Sequence, residues 1–242
     1  MPDQNGTRPV YRRTPFIDLV CQVQFPPVLK ISPAPTGFQD RIRRHFPLFE
    51  VAPDNRGYQF ITEDRSCHLV LTPSSLALVA QRDLGWTSFR SSFLQAFQAL
   101  QQEFAPTLYS RLGLRSRNLF CRSACNLTGK AWDELFRVPV VNMAPFSALQ
   151  GEVQANRSEV LLALQGGSVK ARLSHGPVVA QLSGQVVATE ACYLLDSDVF
   201  VEDRLDAANA LALLDRLNQE AVVLFRWCIT DALHQALEPQ AA

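Results

Sequence analysis

Between Phe16 and Phe25 apolar and polar positions alternate. Ile17, Leu19, Cys21, Val23 and Phe25 fall on one side, and Asp18, Val20, Gln22 and Gln24 on the other. That period belongs to a half-buried strand, which Pro26 and Pro27 stop. Residues 35–46 switch to a helical period, with Phe38, Ile42 and Phe46 inward and Arg41, Arg43 and Arg44 on a solvated face. Three short runs follow at 58–62, 67–72 and 76–82, separated by charged or Pro-Ser turns, which predicts an antiparallel meander. Then Trp86, Phe89, Phe93, Phe97, Leu100 and Phe104 step by three or four, a long amphipathic helix closed by Pro106. Its aromatic stripe reads as core, because it leaves no polar group to orient a ligand.

The second half begins with a strand over 111–120 and a helical turn over 131–136. Further strands are expected at 151–155, 159–165, 169–174, 178–182 and 186–195, with a hairpin at Gly166-Gly167 and a turn at His175-Gly176-Pro177. The chain closes on residues 205–237, read as one continuous helix with Asp203 and Asp206 at its start and Pro239 past its end. Asn218 sits inside its apolar face, where a sheet-edge carbonyl is the ordinary partner for a buried amide. Val223 and Trp227 sit one turn apart on the otherwise polar side, covered by a second element or forming an interface.

Set side by side, the halves run in the same order: strand, short helix, meander, long helix. The division is a flexible N-terminus over 1–14, a first half over 15–107 and a second over 108–238. The expected fold is α+β, a pseudo-twofold β-α-meander-α duplication. A curved antiparallel sheet would carry two long helices on one face, as in saddle or helix-grip folds. Such an architecture assigns no function by itself.

Composition narrows the classes. Of 242 residues 47% are hydrophobic, and 23 basic residues balance 23 acidic ones, against the basic excess of a nucleic-acid or membrane-surface binder. No apolar run approaches the roughly 18 residues of a membrane span. Residues 1–14 lack the apolar stretch of a signal peptide. The six cysteines follow no framework spacing and mostly sit in apolar segments, so reduced, buried thiols of a cytoplasmic protein are expected. Neither Cys67-His68 nor Cys121-x3-Cys125 has zinc-ligand spacing, and no metal or cofactor is expected.

Candidate chemistry centres on 111–120. At period two, Leu112, Leu114 and Phe120 go to the helices, while Arg111, Arg115 and Arg117 share the opposite face with Gly113 leaving room between two of them. Residues two apart on a strand lie about 6.7 Å apart, so the row needs counter-charges. Cross-strand acids or solvent would supply them; otherwise the row is an anion-binding floor for a carboxylate, phosphate or acidic partner. Asp196-x-Asp198 could hold a divalent metal beside phosphate oxygens, or simply cap and turn the chain. Motifs for nucleophilic, P-loop, dinucleotide and zinc-protease chemistry are missing, and the four histidines are isolated from one another.

Several strings resemble one sporadically distributed bacterial family of unknown function. They are Thr14 to Pro27 (TPFIDLVCQVQFPP), Trp86-x2-Phe89, Tyr109 to Asn118 (YxRLGLRxxN), Leu194 to Val199 (LLDxDV), and Leu214-x2-Leu217-Asn218 leading to Phe225-x3-Ile229-Thr230. The resemblance implies this architecture and points to Arg111, Arg115 and Asn118 as site residues without naming their ligand. The expectation is a non-enzymatic cytoplasmic binding or adaptor protein that uses Arg111, Arg115, Arg117 and Asn118 for an acidic partner or small anion. Val223 and Trp227 would serve self-association into a homodimer. The alternative is a metal-dependent enzyme acting on a phosphorylated or nucleotide substrate. Single-stranded nucleic-acid binding would need aromatics among the arginines, and only Phe120 is near, facing inward.

Overall fold

The computed structural model describes residues 9–32, 34–51, 57–137, 155–182 and 185–240. Nine strands form one antiparallel sheet in the order β2-β3-β4-β5-β1-β6-β9-β8-β7. They are β1 Phe16–Gln24, β2 Leu48–Val51, β3 Tyr58–Ile61, β4 Cys67–Thr72 and β5 Ser75–Ala80, then β6 Arg111–Phe120, β7 Ser158–Leu164, β8 Val169–Leu182 and β9 Gln185–Val201. The helices are α1 Thr36–Ile42, α2 Trp86–Phe104, α3 Trp132–Leu135, α4 Ala207–Cys228 and α5 Asp231–Ala236.

Register carries the alternation of each strand across the whole sheet. Leu69, Leu78, Cys21, Leu114, Val199 and Ala171 stand in one buried row over six strands. One residue further along, His68, Val79, Val20, Arg115, Asp198 and Arg172 form the matching row on the opposite face. Each buried Leu or Phe on the first face stabilises by roughly 1.5–3 kcal/mol. Helices α2 and α4 lie together on that face. Asp215 of α4 accepts hydrogen bonds from Trp86 Nε1 at 3.0 Å and Arg90 Nε at 3.1 Å, both on α2. Phe225 of α4 stacks on Phe120 of β6 with centroids 6.2 Å apart.

Several elements depart from the sequence reading. The C-terminal helix is not continuous: α4 ends at Cys228, where Ile229 turns extended and bridges to Phe136. Thr230 then caps α5, accepting from the Leu233 amide while donating to the Glu134 carbonyl. His175-Gly176-Pro177 is no turn but the middle of the 14-residue β8. Gly176 fits there because a Cβ would lie 2.1 Å from the Asn156 carbonyl oxygen, so the neighbouring main chain can pass only a glycine. Strand β2, four residues long and mostly exposed, gave no sequence signal. Residues 10–13 are pinned by backbone bonds to residues 237–240, so the N-terminal segment is tied down there. The strand expected at 151–155 falls almost wholly outside the described residues.

The cysteine expectation holds for Cys21, Cys67, Cys125 and Cys228, which are free and buried. Burial pushes the thiol pKa of Cys67 and of Cys228 up to about 12. It fails for Cys121 and Cys192, which form a disulfide across 71 residues of sequence. The register explains it: Phe120 pairs with Tyr193, so Cys121 just past the end of β6 comes opposite Cys192 on β9. Among the described residues, no helix is long and apolar enough to cross a membrane.

Candidate functional site

Strand parity does place Arg111, Arg115 and Arg117 on the face away from the helices, and it brings an aspartate to each. Arg111 Nη2 donates to Asp198 Oδ2 at 2.7 Å. Arg115 grips Asp196 through two bonds of 2.8 and 2.6 Å. Arg117 Nε reaches both oxygens of Asp18 at 2.9 and 3.0 Å. The pairs are layered. The Arg115 and Arg117 side chains are 46% and 40% exposed, whereas Asp196 and Asp18 beneath them are 8% and 6% exposed. Hydrogen bonding to these carboxylates pushes the pKa of both guanidiniums above its ordinary value. Each guanidinium has five N–H donors, so groups remain to face outward. Arg111 lies flatter, its guanidinium folded over Gly113 and 4.5 Å from the Phe200 ring centroid.

The same pairing commits both oxygens of Asp196 to Arg115 and Oδ2 of Asp198 to Arg111. It realises the cross-strand acids left open by the sequence. Arg172 of β8 extends the row, standing opposite Asp198 and 3.7 Å from Glu159.

Asn118 does not join the arginines. On β6 it shares the parity of Leu112 and Leu114, so it points beneath α4. There it donates to Ser116 Oγ at 3.2 Å and meets Ser197 of β9 and Asn218 of α4 around a small cavity. Tyr11, Phe16, Leu19, Leu114 and Phe225 make its apolar walls, and the exposed Thr14 and Asp83 its rim. Asn218 and Ser197 are each 3% exposed. Neither forms a side-chain hydrogen bond with any described residue. The sheet-edge carbonyl expected for Asn218 is therefore not its partner. Among the described residues, Trp132 Nε1 is the one fully enclosed side-chain polar atom without a partner, so the Asn218 and Ser197 groups open onto the cavity they line.

Val223 and Trp227 are exposed on α4 and line a broad groove with Leu162 and Leu164 of β7. Near the sheet's far end, His175 is buried against Tyr193, with Nδ1 and the phenol oxygen 2.9 Å apart, and burial lowers the His175 pKa. Cys121, Cys192 and Glu190 gather ligand-type atoms within 4.8 Å, but both sulfurs are committed to the disulfide.

The polar cluster under α4 was half visible in the sequence. Asn218 stood out as an amide in an apolar stripe, and period two places Asn118 on the helix side. What the sequence lacked was the register that joins them. No protein-family model and no curated protein matches the chain.

Proposed function

We propose that this is a non-enzymatic binding or adaptor protein that recognises an acidic partner or small anion on the free sheet face through Arg115 and Arg117. The observation that carries this reading is the layering. Cationic ends face solvent while the aspartates that neutralise and orient them lie underneath, a pre-organised fork for carboxylate or phosphate. The metal-dependent alternative would first have to release Asp196 and Asp198 from their arginines.

The halves 15–107 and 108–238 are read as a pseudo-twofold saddle. Strand order supports this in part: outward from the centre it runs β1, β5, β4, β3 on one side and β6, β9, β8, β7 on the other, with β2 added beyond β3 on the first side alone. Membership of the sporadically distributed family belongs to the same proposal, as does a cytoplasmic location, in which the reducing thiol pool would keep Cys121 and Cys192 open. Trp227 is the proposed contact for a homodimer, and Trp227→Glu would then abolish a concentration-dependent mass increase in light scattering.

Titration with a hexaglutamate peptide and with inorganic phosphate tests the sheet face. The expected result is saturable binding of at least one probe, weakened fivefold or more in Arg115→Ala and Arg117→Ala and lost at high salt. Equal binding by the variants, or binding of neither probe by the wild type, would overturn the proposal.

A further inference from the structure

We infer that the cavity beneath α4 is a second binding site, on the opposite side of the sheet from the arginines, and that it takes the amide head of a small uncharged ligand. Two facts point to a ligand and not to a packing fault. Asn218 lies almost fully buried in the middle of a 22-residue helix, yet its carboxamide is unpartnered among the described residues. The Ser197 hydroxyl opens onto the same space from β9, and the Asn118 amide lies beside it on β6. A bound amide would give the Asn218 and Ser197 groups hydrogen-bond partners inside the cavity.

The lining selects the chemistry. A carboxamide offers an N–H donor and a carbonyl acceptor side by side, so its best complement is another group with one of each. Charged heads are disfavoured: among the described residues the lining holds no Lys, Arg or His, and its one carboxylate is Asp83 on the rim. A purely apolar ligand would leave Asn218 and Ser197 unsatisfied. Among the described lining residues no nucleophile stands beside a base, and the inference is of binding alone. The space open to water-sized groups is about 30 Å³, whereas one water needs roughly 10–15 Å³. Only a head of a few atoms fits inside. The rest of the ligand would lie against Phe225, which offers aromatic surface beside the polar floor.

Four of the strings that resemble the family reach this cavity, through Phe16, through Asn118, through Ser197 at the unspecified position of LLDxDV, and through Asn218 with Phe225. That convergence is independent of the sheet-face reading, and the two can fail separately.

Benzamide is the probe, with benzoate and toluene as charged and apolar counterparts of the same shape. Ligand-observed NMR on the full chain should show saturable benzamide binding, at least tenfold weaker binding of benzoate, and none of toluene. Asn218→Leu, which fills the space with an apolar group, should abolish benzamide binding while hexaglutamate titrations match those of the wild type. Asn218→Ser, a smaller change, guards against misfolding and should weaken benzamide at least fivefold. Unsaturable benzamide signals, equal binding of benzoate, or undiminished binding by both variants would overturn the inference. So would a crystal soaked in benzamide whose cavity holds water only.

Discussion

Arg117 and Asn118 are adjacent in sequence and serve opposite sides of the sheet: Arg117 lies over Asp18 at the free face, and Asn118 points under α4 beside Ser116. One peptide unit therefore separates an ion-pair lattice from a neutral polar chamber. Substitutions at these two positions should produce unrelated effects.

Arg117→Ala leaves Asp18, itself only 4% exposed, without its guanidinium. The expected loss is about 1–3 kcal/mol in urea unfolding, because an orphaned acceptor keeps its desolvation cost. Adding Asp18→Leu to that variant should restore most of it. A double variant no more stable than Arg117→Ala alone would show that the pair is not the source.

Reducing Cys121–Cys192 opens a crosslink spanning 71 residues. Chain entropy gives it about 4 kcal/mol, so dithiothreitol or Cys121→Ser should lower the melting temperature clearly. Alkylation of free thiols in fresh lysate, read by mass spectrometry, would show whether the bond is closed in the cell. Alkylation of both Cys121 and Cys192 is the result expected for the proposed cytoplasmic location, and a closed bond in lysate would count against that location.

Stability should fall on acidification through the histidine range. Burial lowers the pKa of His68, His175 and His234, so the folded protein holds them neutral. Their contribution is fully present above the unfolded value of about 6.5 and is lost as pH falls below it, where the unfolded chain binds more protons. Melting temperatures at pH 7.5 and 5.5 should differ, and His175→Gln should shrink that difference. An unchanged slope would remove His175 from the account.

Gly176→Ala should cost about 1–3 kcal/mol, because its φ is 149° and its Cβ would meet the Asn156 carbonyl. The measurement is equilibrium unfolding of the variant. Loss below a few tenths of a kcal/mol would mean that residue 156 moves aside freely.

Much of this fold was legible where a local period decides it. Strand β6 matched its predicted span, and the aromatic steps of α2 became core. The arginine row was legible as a row, but not its partners, since Asp18, Asp196 and Asp198 lie 81–99 residues away and only register brings them over. Asn118 was grouped with the arginines although its parity already set it apart. Thr230 hid the end of α4, because a capping threonine inside an apolar helical stripe leaves the period intact on both sides. The disulfide followed the same rule as the ion pairs: two residues aligned by strands far apart in the chain.

Because β2 and β7 are the terminal strands of the sheet among the described residues, the protein has two rims of different character. One displays Phe49 and Val51, the other Val160 and Leu161. A second molecule adding to either rim would hand its own far rim to a third. Growth by that route has no built-in stopping point, so storage at high concentration should be limited by fibrillar assembly before general unfolding.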